Sequence, residues 1–187
     1  GEISGSYALT KLGSGTLTLA GVNIYTGITT VSAGTLTVTN NDGLSTTAAG
    51  TTVASGATLD LQGVTVAEVI TLNGGTLATS SGSSIASGAL SLGATSTMSV
   101  AGTQLTVSGD ISGGFGLAKT GAGTLLLSGN NTYTGTTTVS AGVLQLGSTT
   151  ALGTTAGGTT ISNGAAIDLN GQNYSSAEAL TMTGTGV

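Results

Sequence analysis

GSGTLTLAGVNIYTGITTVSAGTLTV, running from Gly13 to Val38, returns as GAGTLLLSGNNTYTGTTTVSAGVLQL from Gly121 to Leu146. Extended outward, the correspondence carries Gly1 to Gly63 onto Gly109 to Gly171 without a gap, at a constant offset of 108, and about 35 of the 63 positions are identical. Inside the quoted stretch the apolar residues come in pairs with one residue between them: Leu17/Leu19, Leu36/Val38, Leu125/Leu127, Leu144/Leu146. Alternation of this kind puts both members of a pair on one face of a strand and the intervening residue on the other. Further pairs follow at Leu59/Leu61, Leu90/Leu92, Met98/Val100, Leu105/Val107 and Ile167/Leu169, bounded by turn dipeptides such as Asp42-Gly43, Asn73-Gly74 and Asn163-Gly164.

Many short strands suit a sandwich, a barrel or a solenoid. A sandwich or closed barrel has no reason to repeat itself at so long an offset with turns and spacers intact. A solenoid does, because each coil lies on the last at the strand spacing and meets the same surroundings again. The expected fold is therefore all-β, a parallel β-helix (β-solenoid) of about nine coils at roughly 20 residues per coil, with aliphatic ladders inside and Thr and Ser outside. Residues 1–108 form the first repeat unit and 109–187 a second, incomplete unit of the same continuous solenoid. Both termini read as cut within a repeat, so uncapped ends open to neighbouring coils of a longer protein are expected. The one stretch open to a helix is Ser175 to Leu180.

Composition excludes several functions. Only 5% of the 187 residues are charged, with two lysines, seven acids and no histidine or cysteine. Nucleic acid requires clustered cations to neutralise phosphates, and Lys11 and Lys119 lie a whole repeat apart, so no nucleic-acid partner is expected. The hydrophobic fraction of 38% supports a core and argues against disorder. Without cysteine there are no disulfides and no thiol chemistry. No apolar run is long enough to cross a bilayer as a helix, and five aromatics are too few for the girdles of a membrane barrel, so no direct membrane insertion of this segment is expected.

Two stretches, Leu9–Val38 and Leu117–Leu146, share a K-x-G-x-G-x-L-x-L-x-G-x-N-x-Y-x-G-x-T-x-V-x-x-G-x-L pattern. It is met by Lys11, Gly13, Gly15, Leu17, Leu19, Gly21, Asn23, Tyr25, Gly27, Thr29, Val31, Gly34 and Leu36. The second copy meets it at Lys119, Gly121, Gly123, Leu125, Leu127, Gly129, Asn131, Tyr133, Gly135, Thr137, Val139, Gly142 and Leu144. The pattern resembles the passenger-associated transport repeat of bacterial autotransporters, here at residues 9–38 and 117–146. That resemblance implies a right-handed parallel β-helix in the passenger of a type V secreted protein, displayed at the outer membrane of a Gram-negative bacterium. It also implies a role in passenger folding and export, not a catalytic one.

Chemistry-bearing residues are few. Lacking His and Cys, the chain has no Ser-His-Asp or Cys-His device, and it is expected not to be an enzyme. The rival is a polysaccharide-degrading β-helix working through carboxylates, for which the candidates are Asp60, Asp168, Glu68 and Glu178. Asp60 and Asp168 are equivalent positions one repeat apart, about five coils or roughly 24 Å, far beyond the ~5–9.5 Å of a glycosidase pair. All four are expected to be solvated, outward carboxylates. No calcium-loop signature is present; Asn40-Asn41-Asp42-Gly43 reads as a turn, and its counterpart Ser148-Thr149-Thr150-Ala151 drops the carboxamide and carboxylate oxygens. Gly13-x-Gly15 and Gly121-x-Gly123 lack the third glycine and following helix of a dinucleotide loop and read as corners. No cofactor or metal ligand is assigned.

Asn130-Asn131-Thr132 and Asn173-Tyr174-Ser175 have the form of glycosylation sequons. Tyr25 and Tyr133 offer sugar stacking or, in the preferred reading, a fixed structural slot, with Asn23 and Asn131 bonding backbone at the neighbouring turn. The expected function is a stalk supporting surface display and export-coupled folding, partnered by neighbouring coils, with adhesion to a glycan or receptor, or self-association, as a further role. The second rival is an ice-binding solenoid, whose Thr-x-Thr ladders Thr16/Thr18 and Thr35/Thr37 imitate. Against it, Thr18, Thr35 and Thr37 become Leu126, Val143 and Gln145 in the second copy, and variable coil length is expected to spoil a regular lattice.

Overall fold

A computed structural model of the chain describes residues 1–45, 49–175 and 177–183. Strands recur in a fixed order of three faces. Face 1 stacks Leu9–Lys11, Thr29–Val31, Thr51–Ala54, Ile70–Asn73, Leu90–Ala94 and Ile111–Gly113. Face 2 stacks nine strands: Thr16–Leu19, Thr35–Val38, Thr58–Leu61, Thr76–Thr79, Ser96–Val100, Leu117–Thr120, Thr137–Val139, Thr159–Ile161 and Leu180–Met182. Face 3 stacks Thr65–Val66, Ser83–Ala86, Gln104–Val107, Thr124–Leu127, Gly142–Leu146 and Ala165–Asp168. A two-stranded pair, Ser4–Gly5 with Ile24–Tyr25, follows face 2 in the first coils as face 3 does later.

Every pairing between these strands is parallel. The result is a β-solenoid of about eight turns, one fewer than a uniform coil length suggests. Coils differ in length: the step from Thr58 to its partner Thr76 is shorter than the step from Thr35 to its partner Thr58. No helix occurs among the described residues. The 175–180 expectation crosses residue 176, which lies outside them, and Leu180 itself begins a face 2 strand.

The apolar pairs line the interior as foreseen, except the last, where Ile167 is half-buried and Leu169 is 48% exposed. On face 2, Leu17, Leu36, Leu59, Leu77 and Met98 follow one another in register. On face 3, Leu105, Leu125 and Leu144 do the same. Full burial of each such side chain contributes about 1.5–3 kcal/mol, and Leu36, Leu59, Leu77, Leu105, Leu125 and Leu144 are fully buried.

The register also shows what the offset between copies means. From Thr16–Leu19 the chain climbs five rungs of face 2 to Leu117–Thr120, then moves on one face to Thr124–Leu127, the counterpart of its starting strand. The repeat therefore spans five turns and a third. Leu9–Lys11 lies on face 1 and its copy Leu117–Thr120 on face 2; Thr35–Val38 lies on face 2 and its copy in Gly142–Leu146 on face 3. Identical motifs look out from different sides of the solenoid.

Face 2 has an unbroken register across all nine strands. Its outward column reads Thr16, Thr35, Thr58, Thr76, Thr97, Ala118, Thr138, Thr160, Thr181. The extra residues of long coils are taken up in the corners, as at 39–45, and leave this ladder intact.

Candidate functional site

The residues shared by both copies do not converge on a cleft; they gather at the corners. Alternation from Leu9 points Lys11 inward at the end of its strand, and Leu117 does the same for Lys119. Lys119 is 0% exposed. Its Nζ donates to the carbonyls of Thr120 at 3.0 Å, Gly121 at 2.7 Å and Ala141 at 3.1 Å. Lys11 repeats this with Leu12, Gly13 and Ala33 at 2.9, 2.8 and 3.1 Å. Each ammonium thus satisfies all three protons on carbonyls of two successive coils, closing a corner that no ladder bond reaches. Burial pushes the Lys119 ammonium down to about 8.

The glycine on the next coil fits this clamp. Gly34 and Gly142 have φ of 67° and 68°. A Cβ at Gly34 would press on Gly15 O and meet Lys11 Nζ at 2.8 Å; at Gly142 it would meet Gly121 O and Gly123 O at 2.5 Å. Both the left-handed backbone and the close approach demand glycine here.

Asn23 and Asn131 each join three coils. Asn131 Oδ1 accepts from Ile111 N at 2.8 Å, on the coil before, and its Nδ2 donates to Ala151 O at 2.6 Å, on the coil after. Asn23 does the same between Ile3 N and Gly43 O, at 2.8 and 2.6 Å. Tyr25 and Tyr133 are 1% and 0% exposed, so neither ring can receive a sugar. Their hydroxyls meet Thr29 Oγ1 and Thr137 Oγ1, at 2.6 Å in both copies.

Near each tyrosine lies an acid. In the second copy Glu178 accepts from Thr159 Oγ1 at 2.6 Å and from Tyr174 Oη at 2.7 Å. In the first, Glu68 lies beside Thr51, but its Oε2 and Thr51 Oγ1 are without a hydrogen-bond partner. Tyr174 has no phenolic counterpart there, since Val64 and Val66 lead to Glu68. Burial raises both tyrosine hydroxyls above their ordinary value, their threonines opposing and the nearby glutamates adding.

The expectation that all four acids are solvated is corrected here. Asp60 is 6% and Glu68 4% exposed. Asp60 accepts from Ser80 N at 2.9 Å, Ser80 Oγ at 2.6 Å and Gln62 Nε2 at 2.8 Å, which ties two coils together and replaces its lost hydration. Glu68 continues the inward phase of Val64 and Val66. Glu178 is half-buried, and Asp168 alone is fully outside, where Asn170 N–H and Gln145 hold its carboxyl below the usual range. Asp60 on face 2 and Asp168 in the last strand of face 3 are not brought together.

Burial raises the Glu68 carboxyl to about 7. Its folded pKa lies above the unfolded value, so the folded state holds a proton that the unfolded chain has released between pH 4.5 and 7. The contribution of Glu68 to stability is therefore fully present below pH 4.5, falls as pH rises through that window, and above it is lower by about 2–3 kcal/mol once solvent screening is allowed for. Urea midpoints measured from acid to mildly alkaline pH should show this fall for the native chain and not for Glu68→Gln, which should be the more stable of the two at the alkaline end.

Elsewhere, Asn40–Gly43 is a turn: Asn40 Oδ1 accepts from Asp42 N at 3.0 Å and Asn41 Oδ1 from Thr65 N at 2.9 Å. Asn130 and Asn173 of the sequons are exposed. Among the described residues no three acids gather in a way that could hold a metal.

The passenger-associated-transport-repeat family matches residues 9–38 and 117–146, the segments that carry the clamps. The adhesin BmaC autotransporter of Brucella suis biovar 1 (strain 1330) is 43% identical over 137 residues, 70% of this chain and 4% of that protein. An extracellular serine protease of Serratia marcescens is 67% identical over 39 residues, 21% of this chain and 4% of that protein. The chain thus spans a small fraction of each relative's length. No solved structure matches it significantly. With two clamped repeats wound into one solenoid, the chain is similar to the repeat region of an autotransporter passenger.

Proposed function

We propose that the chain is a structural stalk segment of a secreted autotransporter passenger, held at the outer-membrane surface of a Gram-negative bacterium and folding coil upon coil as it is exported. One observation supports this above others. The shared polar residues Lys11, Asn23, Tyr25 and Thr29, with their copies, keep their hydrogen bonds within the stack: Asn23 and Lys11 reach neighbouring coils, Lys11 also closes its own corner, and Tyr25 bonds Thr29. Such bonds make each coil a template for the next, so a first coil formed outside favours the second. Burial of the aliphatic ladders, about 25 cal/mol per Å², then draws the chain outward. In this reading the segment has no catalytic role and its partners are the adjoining coils. The adhesin name of the Brucella relative supports adhesion by the outer faces, through a glycan, a receptor or a second passenger, as an accompanying role.

The test is an in-phase deletion within a full-length passenger carrying this chain. Removing residues 117–136 takes out one turn with Lys119, Asn131 and Tyr133, and lets Thr137–Val139 follow in the place of Leu117–Thr120 on face 2. Removing residues 90–110 takes out one turn without a motif. Surface labelling should fall several-fold for the first deletion and little for the second. Equal display from both would refute a role for the repeat in export.

A further inference from the structure

We propose that face 2 is an ice-binding surface, a role that goes beyond the stalk. The objection raised by the sequence rests on comparing the two copies as though they shared a face. They do not: Leu126, Val143 and Gln145, the counterparts of Thr18, Thr35 and Thr37, lie on face 3. Face 2 is continued instead by other residues, and its outward ladder stays threonine at eight of nine rungs. Uneven coil length is no objection either, because the ladder keeps its register while the corners take the extra residues.

Geometry and charge select the occupant. Rungs about 4.8 Å apart, with outward positions about 6.6 Å apart along each strand, set hydroxyls and methyls on a rectangular grid. The rung spacing is close to the shortest oxygen repeat of hexagonal ice, and the strand spacing approaches the longer one. A second outward position completes the row in several rungs, as in Thr97/Ser99, Thr138/Ser140 and Thr160/Ser162. Among the described residues the face offers no cation, because Lys119 is turned inward, and its one acid, Asp60, is engaged by Ser80 and Gln62. A charged polymer, lipid headgroup or ionic protein patch finds no counter-charge there. A neutral periodic lattice of donors and acceptors does find its complement. The fold does not itself require the ladder: face 3 of the same solenoid places Thr65, Ile85, Thr106, Leu126, Gln145 and Asp168 at its outward rungs.

The test uses this chain and ice alone. The native protein should be taken up into a slowly growing ice hemisphere and should hold crystals from growing just below their melting point. Thr97→Lys, a charge in mid-face, should abolish both effects, whereas Thr106→Lys on face 3 should abolish neither, with circular dichroism unchanged in each. Should Thr97→Lys unfold, the double variant Thr97→Val with Thr138→Val keeps shape and β-branching, and should lose crystal-growth arrest through the hydroxyls alone. Exclusion of the native protein from the ice would overturn the proposal. So would equal uptake of the face 2 and face 3 variants.

Discussion

Gly142→Ala should lower the unfolding free energy by roughly 3 kcal/mol, the sum of a left-handed backbone that alanine resists and an overpacked corner. The position has φ of 68°, and the added Cβ would press on Gly121 O and Gly123 O. Neither carbonyl can retreat freely, because Gly121 O also accepts from Lys119 Nζ. Moving the corner to admit a methyl would stretch the clamp that joins the two coils. Gly34→Ala offers an independent replicate on another face, with the same left-handed backbone and the same approach to the Lys11 corner. Urea titration followed by circular dichroism should give losses of similar size for the two variants. A loss below about 1 kcal/mol at either site, no more than an ordinary substitution, would mean that the corner is softer than its contacts indicate.

Asn131→Leu is expected to cost about 3 kcal/mol, although leucine fills nearly the same volume, because it leaves Ile111 N–H and Ala151 C=O in the interior without partners. Each orphaned group costs roughly 1–3 kcal/mol. The damage should spread along the axis, since the one side chain joins the coil before it to the coil after it. Hydrogen exchange read residue by residue should show protection lost at Ile111 as well as near Ala151. Asn131→Asp separates the two bonds, keeping an acceptor for Ile111 N while setting an oxygen against Ala151 O. Its exchange should quicken mainly on the later coil. Loss confined to the coil that contains Asn131 would contradict the bridging role.

The strands, their parallel stacking and the apolar ladders were legible because alternation and the internal copy point the same way. The phase of the copy was not. An offset along the chain fixes no angle until the corners are known, and the short coil from Thr58 to Thr76 carries the same kind of face 2 strand as the longer one from Thr35 to Thr58. That missing angle made the threonine comparison between copies misleading. The buried Glu68 and the two lysines were open to a stricter use of alternation, whereas Asp60, between inward Leu59 and Leu61, was not. Lys11 is in phase with Leu9, and Glu68 with Val64, Val66 and Ile70, so the period that assigns the leucines to the interior assigns these charges there too. What the pattern could not show is how they are accommodated. Three carbonyls around an ammonium, or Ser80 and Gln62 around Asp60, depend on contacts between one coil and the next.

The third of a turn left over in each repeat has a consequence for any longer stack of such units. Successive motifs wind round the shaft as on a three-fold screw, and the orientation returns after three units. A binding partner that recognises the motif from outside would have to spiral with it, while one gripping a single side would meet a different stretch of chain at every level. Duplication of the gene segment therefore lengthens the shaft without copying any one flank, which leaves each flank free to acquire its own chemistry.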